Sequence, residues 1–221
     1  MKLFLEAIAK FTAGLLMVGA LIFLPAGTLH FWEGWLLMGV LFGPMLLAGL
    51  VMLAKTPEFL AKRLDAKEKQ SAQTGVLAFS ALMFIGGFVV AGLDHRFDWS
   101  RMPLWVNIAA GALFLVFYGL YAEVMRENAY LSRTIKVEAG QTVVNTGLYG
   151  IVRHPMYSVT VGLFLMIPLI LGSWYALIPF AFYPVIIIVR LLDEEKLLTQ
   201  ELAGYEDYIK KVKYRLIRYI W

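Results

Sequence analysis

The chain has 221 residues, 60% of them hydrophobic and 16% charged, with a mean hydropathy of +0.70. A soluble domain carries roughly 25% charged residues, so the composition excludes an ordinary soluble fold and indicates an integral membrane protein. The absence of cysteine excludes disulfides, thiolate zinc sites and cysteine nucleophiles, and three histidines scattered over predicted loops, His30, His95 and His154, argue against a histidine-built metal site.

Six apolar runs follow in chain order: Phe4 to Ala26, Trp35 to Ala54, Val76 to Leu93, Leu104 to Met125, Met156 to Leu171 and Tyr175 to Leu192. Runs of about 20 residues, at 1.5 Å per residue, cross a hydrocarbon core of roughly 30 Å. The predicted fold is therefore all-α, a polytopic transmembrane bundle of about six spans. The first run is long enough to span and lacks a small-residue cleavage site, so no cleavable signal peptide is expected.

The net charge of +4 carries less information than its distribution. Eighteen of the 20 Lys and Arg residues fall in the N-terminal segment, the Lys55 to Thr74 loop, the Arg126 to Arg153 loop and the stretch from Arg190 onward, leaving Arg96 and Arg101 on the other side. By the positive-inside rule both termini and the long loops are cytoplasmic, in the inner or cytoplasmic membrane. Trp32, Trp35, Trp99, Trp105 and Trp174 then fall near the opposite-face ends, as an aromatic belt does.

Between the second and third runs, Pro57-Glu58-Phe59-Leu60 and the charged run from Lys62 to Lys69 predict a solvated helix whose leucines touch the bilayer. After Arg126 the pattern changes. Thr134 to Glu138 and Thr142 to Val144 flank Ala139-Gly140 and suggest a short β-hairpin. Asn128 and Tyr130 close the fourth run on the same face. The boundary near residue 125 divides four N-terminal helices (1–125) from a C-terminal region (126–221). Beyond Glu195, Leu197, Leu198, Leu202, Tyr205, Tyr208, Ile209, Val212 and Leu216 recur at helical spacing, predicting an amphipathic C-terminal helix along the membrane surface. No Gly-x-Gly-x-x-Gly or Walker-type loop is present, so the soluble nucleotide-binding folds are not indicated.

The organising stretch is Gly147-Leu148-Tyr149-Gly150-Ile151-Val152-Arg153-His154-Pro155-Met156-Tyr157. It sets an arginine, a histidine and two tyrosines at the mouth of an apolar segment, where ionisable groups are costly unless they serve a purpose. Proline in a first helical turn holds His154 extended. The apolar hairpin that follows, from Pro155 to Leu192, ends on Arg190, Asp193, Glu194 and Glu195. Two passes return the chain to the side it left, so the Arg-His and Glu-Glu pairs should meet at one face. Free N–H groups at the helix start suit an anionic group, the glutamates suit an ammonium or ribose hydroxyls, and Tyr149 and Tyr157 suit a soft cation. S-adenosylmethionine combines all four features. Taken singly, Arg153 reads as a topology anchor, His154-Pro155 as a helix start and Glu194-Glu195 as a solvated helix turn; the hairpin joins them.

These residues resemble a family, the integral-membrane methyltransferases that include isoprenylcysteine carboxyl methyltransferases and phospholipid N-methyltransferases. The resemblance rests on Arg153-His154-Pro155-Met156-Tyr157, Glu194-Glu195-Lys196-Leu197-Leu198 and Tyr205-Glu206-Asp207-Tyr208, over about the last 95 residues. It implies S-adenosylmethionine contacts from Tyr149, Arg153, His154, Tyr157, Glu194 and Glu195, with Arg190 and Glu194 at the reacting end. It also implies a lipophilic methyl acceptor arriving from the lipid bilayer, whether an isoprenylcysteine-like carboxylate or a lipid amine, and neither metal nor nucleic acid as partner. Leu148, Val159 and Arg218 depart from the family pattern. Two alternatives use the same fold: a relative of the membrane sterol reductases with NADPH, and a non-enzymatic membrane scaffold or lipid-binding protein.

Overall fold

A computed structural model of the chain describes residues 2–64, 71–131, 137 and 140–221. Among these, all regular structure is helical: α1 (Lys2–Ala26), α2 (Trp32–Lys55), α3 (Pro57–Leu64), α4 (Ser71–Phe97), α5 (Leu104–Glu127), a 3-10 turn (Gly147–Gly150), α6 (Pro155–Ile170), α7 (Leu177–Phe180), α8 (Tyr183–Glu201) and α9 (Tyr205–Lys211).

Four helices among the described residues are long and apolar enough to cross a membrane: α1, α2, the Gly75–Phe97 part of α4, and α5. The six-span count is not met on those criteria by the last two runs. At 16 residues, α6 reaches only about 24 Å at 1.5 Å per residue. The next run is divided between α7 and α8, because Pro184 lacks an N–H and its ring excludes the carbonyl four residues back, so the helix restarts at Tyr183. The result is a short hairpin packed on the four longer helices.

A continuous apolar core runs from Ile22 and Phe31 through Phe114 to Phe180 and Leu191, all at most 1% exposed. The closest helix pairs are α5 with α6 and α1 with α4. Small residues permit both. A Cβ on Gly92 would lie 2.6 Å from the Ile22 carbonyl oxygen, and one on Gly162 2.5 Å from the Phe117 ring. Lipid tails are as apolar as leucine, so such close backbone packing, rather than hydrophobic burial, holds membrane helices together. Exposed leucines, among them Leu16, Leu24, Leu47 and Leu82, cover the outside.

At one end, in or beside the connections α1–α2, α4–α5 and α6–α7, lie the exposed Trp32, Trp35, Trp99, Trp105 and Trp174, the belt expected from the sequence. This end is pinned from inside. Buried Asp94 accepts from the Ser100 N–H at 2.8 Å, the Ser100 hydroxyl at 2.6 Å and the Ser173 hydroxyl at 2.5 Å. Buried Asn107 donates to the Leu169 and Ile170 carbonyls at 3.0 and 3.3 Å. The tip of the α6–α7 hairpin is thereby tied to α4 and α5.

At the other end, α3 exposes Pro57, Glu58 and Ala61 and packs its opposite face against the bundle. Leu60 is buried, Lys10 donates to the Leu64 carbonyl at 2.7 Å, and the Arg63 guanidinium both bonds to the Tyr121 hydroxyl and stands over its ring. Residues 65–70 of the charged run, and most of the Thr134 to Glu138 arm of the suggested β-hairpin, lie outside the described residues. The other arm, Thr142 to Val144, is present without strand pairing.

The amphipathic pattern beyond Glu195 does not form one helix. It continues α8 to Glu201, breaks at Gly204, which takes the left-handed conformation at φ 82°, resumes as α9, and ends in a non-helical tail that folds back on itself, the Arg215, Leu216 and Ile217 N–H groups donating to the Trp221 carbonyl. That tail passes under the start of α6, where the Arg153 and His154 N–H groups donate to the Tyr214 and Arg215 carbonyls at 2.8 and 3.0 Å. Side-chain periodicity survived the interruption because α9 buries the same face, through Tyr205 and Tyr208.

The α1–α4 contact is open to test. Gly92→Ala is expected to lower stability by about 1–3 kcal/mol, since the methyl meets backbone that has nowhere to move. Gly39→Ala, whose methyl would meet nothing within 4 Å, should leave the thermal midpoint in detergent unchanged. Equal midpoints for the two variants would contradict the packing.

Candidate functional site

Pro155 opens α6 at its first position and His154 sits just outside it at φ −125°, as the sequence predicts. The consequence is that Arg153, His154 and Tyr157 leave the helix entrance in different directions. Across from them, α8 presents Arg190 one turn before Glu194, with Glu195 adjacent. The hairpin brings these two sets together.

Glu195 is the centre of an ion cluster. Its Oε1 accepts from Arg153 Nε at 2.7 Å and lies 3.3 Å from His154 Nε2, while its Oε2 accepts from Arg215 Nε at 2.8 Å. Arg153 also donates to the Val212 and Lys213 carbonyls, both at 2.9 Å. Arg215 in turn stacks over Trp221, 5.0 Å from the ring centroid. Burial alone pushes the Glu195 carboxyl up, but hydrogen bonds from His154, Arg153 and Arg215 outweigh it and hold the group at about 2.

Glu194, next in sequence, points elsewhere. Successive side chains on a helix are about 100° apart, and Glu194 accepts from the Tyr157 hydroxyl at 2.5 Å, while Arg190 Nε donates to that same hydroxyl at 3.2 Å. The His154 and Tyr157 rings lie nearly parallel with centroids 5.7 Å apart. The 3-10 turn supplies Tyr149, whose hydroxyl accepts from Asn128 Nδ2 at 3.1 Å and whose carbonyl accepts from the Tyr208 hydroxyl at 2.8 Å. Gly147, at φ 50°, lets the Glu127 carboxylate come in to accept from the Leu148 N–H at 3.0 Å, fixing this turn to the end of α5.

These elements line an open cavity, continuous with solvent, at the end of the bundle opposite the tryptophan belt. Small-molecule sites combine apolar walls with a few polar groups. Here Leu131, Val144, Met156, Leu197, Leu198 and Leu202 form the apolar wall; Asn128, Tyr149, His154, Tyr157, Arg190 and Glu194 are the polar groups.

Of the residues singled out from the sequence, Tyr149, Arg153, His154, Tyr157, Arg190 and Glu194 line this cavity. Glu195 lies behind it with its carboxylate taken up by Arg153, His154 and Arg215. Just before the helix start, the N–H groups of Arg153 and His154 are occupied by the tail. Val159 is buried within the core. Sequence reasoning missed Gln141 to Val143, Tyr205 and Tyr208 as cavity lining and Arg215 as a partner of Glu195. In sequence the two tyrosines read as the apolar face of a helix and as the ends of the Tyr205-Glu206-Asp207-Tyr208 motif, without a place at the cavity, and Arg215 reads only as one of several basic tail residues. Among the described residues, no three His, Asp or Glu side chains gather as a metal site.

Fold and cavity together define a polytopic helical membrane protein with an open, part-polar cavity at one end of its bundle. Residues 103–200, from the start of α5 almost to the end of α8, match the model of the isoprenylcysteine carboxyl methyltransferase (ICMT) family. Members of the family use S-adenosylmethionine as methyl donor. No curated protein matches the chain.

The ion cluster has a measurable pH signature. Glu195 has a folded-state value of about 2 against an ordinary 4.5, so its contribution to stability is complete above about pH 4.5 and is lost as pH falls from there toward 2. Thermal midpoints of the purified protein should drop across that window. Glu195→Gln, which leaves Arg153 buried without its counter-charge, is expected to lower stability at pH 7 by about 3 kcal/mol and to flatten the acid-side decline. An unchanged decline in the variant would show that another carboxylate controls it.

Proposed function

We propose that the chain is an integral-membrane S-adenosylmethionine-dependent methyltransferase acting on a lipophilic acceptor, with both termini on the cytoplasmic side. The observation that carries this reading is the convergence of Arg190, Tyr157 and Glu194 in a hydrogen-bonded row along one wall of a cavity, within the stretch that matches the ICMT family. The donor set fits the cofactor. A carboxylate, aromatic faces, a histidine and an apolar wall lie together.

When bound, S-adenosylmethionine supplies an electrophilic methyl on a sulfonium, which passes in line to an oxygen, nitrogen or sulfur nucleophile. What the chain's residues contribute is alignment and a dry environment. Tyr149, His154 and Tyr157 would form the face against which the donor rests. Glu194, oriented by the Tyr157 hydroxyl, would accept hydrogen bonds from its hydroxyls or ammonium. Arg190, held by the same hydroxyl, stands toward the reacting end and orients an acceptor carboxylate or headgroup. Leu197, Leu198 and Leu202 keep water from the reacting atoms. Arg153 and Glu195 act from behind by fixing His154. A carboxylate acceptor needs no base; an amine or thiol must lose a proton, and Glu194 is the group placed to receive it.

Calorimetric titration of the detergent-purified protein with S-adenosylhomocysteine tests the reading. Saturable binding is expected, weakened about 10- to 100-fold in Glu194→Gln, the range for losing a charged hydrogen bond. Absence of binding by folded protein would overturn the proposal, and binding of NADPH in its place would favour the reductase-like alternative.

A further inference from the structure

The tail after α9 carries an exposed apolar turn that neither the core nor the cavity uses. Ile217, Tyr219 and Ile220 are 55%, 73% and 76% exposed, and the turn that displays them is ordered from within. The Trp221 carbonyl accepts from the Arg215, Leu216 and Ile217 N–H groups at 2.8, 3.0 and 3.2 Å, and the Trp221 N–H donates to the Ile217 carbonyl at 3.1 Å. Tyr219 holds φ 68°, a left-handed conformation that favours glycine. Its ring packs edge-on against Tyr214, with centroids 5.6 Å apart, and lies under the Arg218 guanidinium at 4.7 Å. A strained but well-bonded turn that points three large apolar side chains outward marks a surface with a partner.

The depth of the turn identifies that partner. The Leu216 carbonyl accepts from the Ser158 hydroxyl at 2.6 Å, which fixes the tail beside α6 one turn inside its start. Helices α5 and α6 run antiparallel with the Phe117 ring against Gly162, so Ser158 lies level with Tyr121, about 9 Å inside the end of the membrane-spanning α5. The turn therefore stands at the boundary of the hydrocarbon core. Its chemistry is interfacial as well. From Lys210 to Trp221 there are five cationic residues and no acidic one, interleaved with tyrosine and isoleucine. Lys210 pairs with Asp207 and Arg215 with Glu195, while Lys213 and Arg218 stand exposed beside the apolar side chains. We propose that residues 217–220 dock onto the adjacent lipid leaflet: Ile217, Tyr219 and Ile220 enter the lipid, and Lys213 and Arg218 meet the phosphates of anionic phospholipids. This contact bears on the site through the tail, whose Arg215 pairs with Glu195 and whose carbonyls hold Arg153 and His154. A leaflet that grips the turn keeps that support in place, whatever ligand the cavity takes.

The chain has no cysteine, so a nitroxide attached to Ile220→Cys reports from this turn alone. In nanodiscs of phosphatidylcholine with phosphatidylglycerol, the label at 220 is expected to collide more with oxygen, which concentrates in lipid, than with a water-soluble nickel chelate. A label on Lys210→Cys should show the reverse. Greater access of the chelate at 220 would overturn the proposal. So would dipolar coupling between two labels, which would make a second copy of the chain the occupant. Heat tests the anionic contact. The wild-type thermal midpoint is expected to be about 4–8 °C higher with phosphatidylglycerol than in phosphatidylcholine alone, the two basic residues each contributing. The double variant Lys213→Gln with Arg218→Gln should lose most of that difference. Because the difference is read within each protein, a general loss of stability does not mimic the result. No difference in the wild type, or the full difference kept by the variant, would overturn recognition of anionic lipid by these two residues.

Discussion

Everything at the working end of this protein depends on one buried carboxylate. Glu195 gathers Arg153, His154 and Arg215, and these three belong to segments far apart in sequence: the entrance of α6 and the C-terminal tail. A buried ion pair is weak evidence for net stability, since the desolvation of both charges offsets much of their attraction, but it is strong evidence for specificity of arrangement, because any other arrangement leaves a charge buried and alone. The cluster therefore dictates where the hairpin closes and where the tail lies, and the side chains beside it inherit their positions.

Adjacent residues divide the labour. Glu194 and Glu195 differ by one helical step, about 100°, and that rotation sends one carboxylate to the cavity and the other to the ion cluster. At the entrance of α6 the same separation occurs between Arg153, drawn back to Glu195 and the tail carbonyls, and Tyr157, drawn forward to Glu194. A paired motif that reads as a single patch is, in space, a cavity-facing layer supported by a charged layer behind it.

The hairpin is held at both ends. Asp94 and Asn107 anchor its tip at the tryptophan belt, and the Glu195 cluster anchors its base. Between them α6 lies against α5, with Gly162 receiving Phe117. Helices α1, α2 and α4 serve as the frame on which this stapled unit rests, and their outward faces are given over to lipid.

The sequence by itself determined the solvent of this protein, the approximate limits of its long helices, the belt of tryptophans and the meeting of Arg153-His154 with Glu194-Glu195, because hydropathy, charge placement and an even number of apolar passes are local or additive properties of the chain. It also marked Tyr149, Tyr157 and Arg190 through the family resemblance. The tertiary structure alone decided which glutamate faces the cavity, since adjacent helical positions are indistinguishable until partners appear. It decided that the tail occupies the N–H groups of Arg153 and His154, a long-range pairing that no periodicity announces. It decided, too, that the last apolar run breaks at Pro184 into α7 and α8, and that the amphipathic face beyond Glu201 turns at Gly204 to carry Tyr205 and Tyr208 to the cavity wall. Apolar pattern records that a face is buried; only packing shows what it is buried against.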